Sequence, residues 1–478
     1  MNYKKKSGQI LVQALIVSAL AAIIIPLLVH LALTNLASSK NVFSNEVAFQ
    51  VAEAGIEYYR WHLAHAPEDF QDGTGAPGPY LHPYSDKEGN VIGEFQLEIT
   101  PPPIGSTVVE IVSTGVVNNN PQAIRKIRTQ LAIPSLAKYA VVVDDNIRFG
   151  EGTEVFGPIH SNKGIRFDGL AHGVVSSAVA EYNDPDHSGG VEFGVHTHVD
   201  PVDPQPPVVV PTRNDVFLAG RQFPVPAVDF TGLIADLAQI KSDAQISGLY
   251  FGSSSGFGYH IVLKPDDTFD VYEVDALIPK PNGCISVLGQ QGWGTWSIQD
   301  ETMLQTYTFP ANGLLFFEDD LWVDGHINTA RITIAAGRFP DTPGQRKNIT
   351  VNDNLLYTNY DGQDVIALIA QENVNAGMIS ADFLRIDGAL IAQKGRVGRY
   401  YYRPPTQNQE RCDPYHVRDT ITLYGMVGTA ERYGFAYSDG TGYQNRNIIY
   451  DTHLLFSPPP SFPLTSDEYE TILWEEVR

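Results

Sequence analysis

Residues 9–33 read QILVQALIVSALAAIIIPLLVHLAL, 25 positions without an Asp, Glu, Lys or Arg. A helix that crosses a bilayer needs about 20 such residues. Lys4, Lys5 and Lys6 precede the run, so the positive-inside bias sets the N-terminus in the cytoplasm and all later residues outside. A helical pattern resumes over Phe43 to His65. Val47, Val51, Ala54, Tyr58 and Trp61 form one stripe at helical spacing, and Phe49, Ala52, Ile56, Tyr59 and Leu63 form a second. A surface helix carries one such stripe. Two imply burial on two sides, once against its own domain and once against another body. Competing readings of the apolar run are an uncleaved signal anchor and a secretory signal peptide cut near Leu36-Ala37-Ser38, although the latter has an apolar region of only about 7–15 residues. Pro26 is expected to kink the helix. Ser18 and His30 inside the run, and Thr34 just after it, read as polar groups tolerated near the membrane edge or facing other helices.

The short basic leader ending in Gly8, followed at once by an apolar helix, resembles a type IV prepilin leader. The stretch Ala48-Phe49-Gln50-Val51-Ala52-Glu53-Ala54-Gly55-Ile56-Glu57 resembles the end of the N-terminal segment of PilX-type minor pilins, which commonly read A-F-Q-A-A-E-A-G-L. The resemblance covers residues 1–65. It implies that a prepilin peptidase cuts between Gly8 and Gln9, and that the helix stays as membrane anchor and assembly element. Gln13, Pro26, Phe49, Glu53 and Gly55 are then the assembly positions, with other pilin subunits and the inner-membrane assembly machinery as partners. Two positions depart from the pattern. Gln9 replaces the usual aromatic residue or Met, and Gln13 stands where major pilins have a Glu that answers the new α-amino group of an adjacent subunit. A tip or priming subunit escapes that requirement, and the tip pseudopilins of type II secretion likewise lack the Glu.

The chain has 478 residues and a net charge of −23. Residues 1–65 carry five Lys/Arg and three Asp/Glu, so the remainder holds 27 against 52, a net of −25. So acidic an ectodomain argues against nucleic acid or anionic membrane as the main partner. With 42 Gly and 32 Pro, it reads as a turn-rich β protein. Cys284 and Cys412 both fall outside the membrane, where one disulfide is possible.

Residues 67–90 read as a loop. Strands are expected at Ile92–Thr100, Val108–Val117 and Ala123–Ile133, which makes residues 66–135 a pilin-like antiparallel sheet behind the helix of residues 9–65. From there the texture changes. Ile147-Arg148-Phe149-Gly150 is echoed 18 residues later by Ile165-Arg166-Phe167-Asp168-Gly169. Apolar–x–apolar–x–Gly–x–apolar segments recur at 321–327, 384–390 and 421–427. Short strands with a glycine corner suggest rungs of a right-handed parallel β-helix, irregular in register, over residues 136–180 and 319–456. Phe149, Phe167, Val323, Ile386 and Leu423 should then share one core. A β-sandwich is the alternative. Residues 181–318 read as an insertion: a Pro-rich excursion, one helix over Phe230–Ile246 with Leu233, Ile234, Leu237 and Ile240 on its apolar face, and ordinary antiparallel β structure. Residues 457–478 read as a Pro-rich C-terminal tail, with Trp474 placed to dock it. The fold class is thus mainly β, with one long N-terminal helix and a pilin-like α+β head.

Catalytic signatures occur only out of context. Gly252-Ser253-Ser254-Ser255-Gly256 fits G-x-S-x-G without the strand and helix a nucleophile elbow needs. Gly73-Thr74-Gly75-Ala76-Pro77-Gly78 fits G-x-G-x-x-G in a loop. The best metal candidates are His187, His196 and His198, with Asp184, Asp186 and Asp200; His196-x-His198 sets both imidazoles on one side of a strand. A polar surface loop explains the same residues. A structural Ca²⁺ would suit Asp184-Pro185-Asp186 or Asn359 to Asp364, though Asp and Asn also favour turns. Tyr400-Tyr401-Tyr402, Trp293 and Trp296 suit either a sugar surface or packing, packing being favoured.

The reading that follows is a structural minor pilin or pseudopilin without enzymatic activity or cofactor. It is a single-pass membrane protein with a cytoplasmic N-terminus before assembly, displaying its β domain at a filament tip for priming or adhesion. The alternative is a membrane-anchored carbohydrate-active enzyme or binding protein on a β-helix, for which Asp319, Asp320 and Asp324 are the acids nearest a rung.

Overall fold

The computed structural model describes residues 7–477; Lys4, Lys5 and Lys6 lie outside them. Two compact units emerge. One comprises residues 7–101, 108–132 and 468–477, the other residues 102–107 and 133–467.

The first unit is built on α1 (Ser7–His65), a single helix that runs through Pro26. Its apolar first part is exposed, whereas Ala48, Val51, Ala52, Ile56, Tyr59 and Leu63 are buried. The two expected stripes do not face two sides. Successive residues differ by about 100° around a helix, so Val51 beside Ala52 merges the stripes into one broad face. Trp61 remains 59% exposed. That face lies on an antiparallel meander of β1 (Tyr80–Ser85), β2 (Val91–Thr100), β3 (Val109–Val117) and β4 (Asn120–Ala132). Phe95, Leu97, Val109, Ile111, Ile127 and Leu131 close the core with the helix. β1 falls inside the expected loop; Pro83, which donates no ladder hydrogen bond, sits there on an edge strand, where proline is tolerated.

Residues 457–478 are not a Pro-rich tail throughout. Glu470–Val477 is a strand paired antiparallel with β4, from Glu470↔Ala132 to Val477↔Lys126. Its acids meet a basic strand: Glu475 pairs with Arg128 and Glu476 with Arg125. Residues 133–467 are therefore inserted, in sequence, between two neighbouring strands of this sheet.

The second unit is a parallel β-solenoid. One face runs, in ladder order, through Leu249–Phe251, Leu314–Phe317, Arg331–Ala336, Val365–Ala370, Phe383–Ala392, Val417–Thr429, Val141–Val143, Ile159–Ser161, Val175–Ser177 and Arg221–Gln222, all parallel. The first rung in sequence stacks on the last, so the chain enters and leaves in mid-stack. Ser135 fixes this junction: its backbone bridges to Leu464 and its hydroxyl donates to the Leu454 carbonyl at 2.7 Å. The Ile-Arg-Phe echo is a second face in perfect register, Ile147↔Ile165, Arg148↔Arg166 and Phe149↔Phe167, extended by Val195–His196. Phe149, Phe167, Val323, Ile386 and Leu423 all lie in one buried core. The sandwich alternative falls, because its sheets would be antiparallel.

Within residues 181–318 the antiparallel expectation fails in part. Tyr259–Leu263 pairs parallel with Leu321–Ile327, and Leu249–Phe251 is itself a rung. The meander Tyr259–Leu263, Thr268–Leu277 and Ile298–Thr308 is antiparallel. The expected helix is α2 (Thr231–Ser247), with Leu237 and Ile240 buried; the side chains of Leu233 and Ile234 lie outside the described set. Cys284 and Cys412 form a disulfide. Around it pack Met378, Tyr400 and Tyr402, with Trp293 and Trp296 against them. Arg399 stacks over Tyr402, its Cζ at 4.5 Å from the ring centre. These aromatics form a small core, as packing requires.

Candidate functional site

Two features carry chemistry. The first is the N-terminal part of α1. Residues 9–33 form a helix long and apolar enough to cross a membrane. Gly8 and Gln9 stand in its first turn, and Gln13, Pro26 and Glu53 are exposed on it. Phe49 and Gly55 make contacts within their own unit. Phe49 meets Trp474 edge-on, ring centres 6.0 Å apart, with Arg125 over its face. Gly55 lets the helix lie close to the sheet: a Cβ there would come 2.3 Å from Ser113 Oγ and 2.9 Å from the Phe95 ring.

The second feature is a histidine–carboxylate cluster on the outer side of the Ile-Arg-Phe face. His196 ends the strand that stacks on Arg166, and His198 follows just beyond it. A hairpin, Glu181–Asn183 with Val191–Phe193, folds over them and supplies Asp184, His187 and Glu192. Ligand atoms of Asp184, His196 and His198 lie within 4.8 Å of one another, as do those of His187, Glu192 and His198. Asp184 is 3% exposed and His196 fully buried. Asp184 Oδ2, His196 Nε2 and His198 Nε2 are all buried without a hydrogen-bond partner. Asp184 Oδ2 and His196 Nε2 stand 3.5 Å apart. By contrast His187 Nδ1 donates to Glu192 Oε1 at 2.9 Å. Burial, then the charge of Arg166, pushes His198 below its ordinary value, towards the neutral imidazole that ligates metals. Asp186 is drawn away to Arg432, and Asp200 is exposed.

Sequence reasoning missed Glu192, Tyr182 and Arg166. An acid between two apolar residues, Val191-Glu192-Phe193, was the available signal for Glu192. His198 also lines a cleft of about 1060 Å³, together with Arg148, Asp168, Arg396, Arg432 and Arg446.

The other candidates are committed elsewhere. Asp364 accepts from the amides of Ala330, Thr358 and Asn359, so it organises a turn. Ser254 of the G-x-S-x-G match donates to Asp319, which also holds Lys347. Asp320 accepts from Asn348. Asp324 and Glu301 accept from the two ring nitrogens of His260 at 2.9 and 2.7 Å.

Burial alone would push His260 down, but its hydrogen bonds to Asp324 and Glu301 and their charges outweigh it and lift the group to about 9. A value raised above the unfolded one means stability fully present below about pH 6.5 and lost as pH rises through 9, worth on the order of 3 kcal/mol. Thermal melts from pH 6 to 10 should therefore fall, and the His260→Asn variant should lose most of that slope. An unchanged slope in the variant would show that other groups set it.

No protein-family model matches the sequence, and no curated protein matches it. Among solved structures, the crystal structure of the competence-associated pilin ComZ from Thermus thermophilus aligns with 91% of this chain and 98% of that chain at 12% identity, with a TM-score of 0.30. A superposition that loose establishes no common fold by itself.

Proposed function

We propose that the chain is a minor pilin or pseudopilin of a type IV pilus-like filament. The observation that carries the reading is the division of α1. Its last part is packed on its own antiparallel sheet, while its first part exposes a charge-free apolar helix that water does not tolerate over such a length. A bilayer, and then a bundle of like helices, satisfies that surface. The basic leader ending in Gly8 and the Ala48–Glu57 segment support the same reading by resemblance. Prepilin peptidase and other pilin subunits are then the partners.

Within the filament the chain takes a low-copy tip or priming place. Gln13 supplies no charge for a neighbour's buried amine. The inserted residues 133–467 form a bulk that is hard to repeat along a packed fibre. Mass spectrometry of the mature chain is expected to show an N-terminus at Gln9, and immunogold against residues 137–478 is expected to mark filament ends. A mature chain that keeps Met1 or starts near Ser38 would remove the pilin reading. Gold spaced evenly along shafts would remove the tip assignment alone.

A further inference from the structure

We propose that Asp184, His196 and His198 hold a first-row divalent metal ion, Zn²⁺ in the first place, which staples the 181–193 hairpin to the solenoid. Three observations carry this. The cluster combines two imidazoles with one carboxylate, a donor set that suits Zn²⁺ and disfavours a hard cation such as Ca²⁺. One atom of each ligand is buried without a hydrogen bond, a state a folded chain rarely leaves, and Asp184 Oδ2 has only ion-pair contacts, to His196 at 3.5 Å and Arg166 at 3.8 Å. Finally, Asp184 Oδ2 and His196 Nε2 are 3.5 Å apart without hydrogen-bond geometry. Two ligands each about 2.1 Å from a tetrahedral ion stand about 3.4 Å apart.

The surroundings fix the ligands as an outer shell does. Asp184 Oδ1 accepts the Asp186 amide at 2.9 Å, leaving Oδ2 for the ion. The Tyr182 hydroxyl lies 3.5 Å from His196 Nδ1, where its oxygen can accept a hydrogen bond from Nδ1–H and so favour the tautomer that leaves Nε2 unprotonated. The His198 backbone amide donates to Asp168 Oδ1 at 2.9 Å. Arg166 approaches Asp184 to 3.8 Å, but its Nε is bound to Asp168 at 2.7 Å. With these three residues as ligands, a water would complete a tetrahedral shell.

The test uses the full chain in detergent, stripped with a chelator. Titration with Zn²⁺ should show one equivalent bound, with a rise in melting temperature that Ca²⁺ and Mg²⁺ do not reproduce. Co²⁺ in its place should give the strong visible bands of a tetrahedral site. Asp184→Asn and His196→Asn should each weaken Zn²⁺ at least tenfold and abolish the thermal shift. His326→Asn, remote and exposed, should stay within twofold of wild type. Absence of tetrahedral Co²⁺ bands in wild type, preference for Ca²⁺, or undiminished Zn²⁺ binding by folded Asp184→Asn would each overturn the proposal.

Discussion

The Ile386→Asp variant is expected to lose about 3–5 kcal/mol of stability or more, enough to abolish a cooperative melt of the solenoid at ordinary temperature. Ile386 is 2% exposed and stands in the parallel ladder between Leu355 and Leu423. Both neighbours belong to the same apolar core. A carboxylate there has no partner; ionised it pays a desolvation penalty, and protonated it still leaves a polar group unsatisfied. The next residue makes the contrast. Asp387 is fully buried yet holds Arg385, the Tyr360 hydroxyl and the Tyr357 amide. Ile386→Val removes one methylene without adding polarity and should cost about 0.5–1.5 kcal/mol. Thermal denaturation of the full chain in detergent checks both. If Ile386→Asp melts like Ile386→Val, the residue is not inward and the register is wrong.

The parts of the fold that could be read from the residues are those where burial is one-sided or where a corner needs glycine. Phe95, Leu97 and Ile99 alternate because β2 has one dry and one wet face, and the period survives in the sequence. The Ile-Arg-Phe echo was visible because two rungs use the same residues in register. Rungs such as Val141–Val143 and Ile159–Ser161 are buried on both faces, so no period of two remains. The stacking of the first rung on the last is a long-range fact that no local pattern carries. Glu470–Val477 was hidden for the opposite reason: it is an exposed edge strand, its acids chosen against Arg125 and Arg128 rather than for burial.

The histidine cluster divides the same way. His196-x-His198 was legible as a spacing, and both imidazoles do converge. What the sequence concealed is that Asp184, in an apparently polar loop, is brought back over them by the two-stranded hairpin and buried. Burial turns a surface motif into a candidate ligand set, and burial here depends on the tertiary fold. Phe49 and Gly55 show the converse. Both belong to a segment that resembles an assembly element, and the resemblance carried no sign that the same residues also pack on the sheet of their own unit.

The corner glycines give the second large effect, and they separate strain from collision. Gly425 has φ +138° and pairs with Gly388 of the neighbouring rung. A Cβ on Gly425 would stand 2.1 Å from the Gly388 carbonyl oxygen and 2.6 Å from its carbon. Gly425→Ala therefore meets two penalties. The positive φ costs roughly 1–3 kcal/mol, and forcing a methyl against backbone adds about 1–3 kcal/mol more. Gly388, with φ +151°, shares the strain but not the collision: its Cβ would lie 3.0 Å from the nearest atom, the Ile366 oxygen. Gly428, in the same strand, shows no positive φ and would have its nearest neighbour at 3.6 Å. Melting temperatures of the three alanine variants should then rank Gly428→Ala near wild type, Gly388→Ala lower and Gly425→Ala lowest. A Gly425→Ala protein no less stable than Gly388→Ala would mean that the two rungs are not stacked glycine on glycine. The corner would then lie at a different residue, because a backbone oxygen 2.1 Å from a methyl carbon cannot be accommodated without moving one rung off the other.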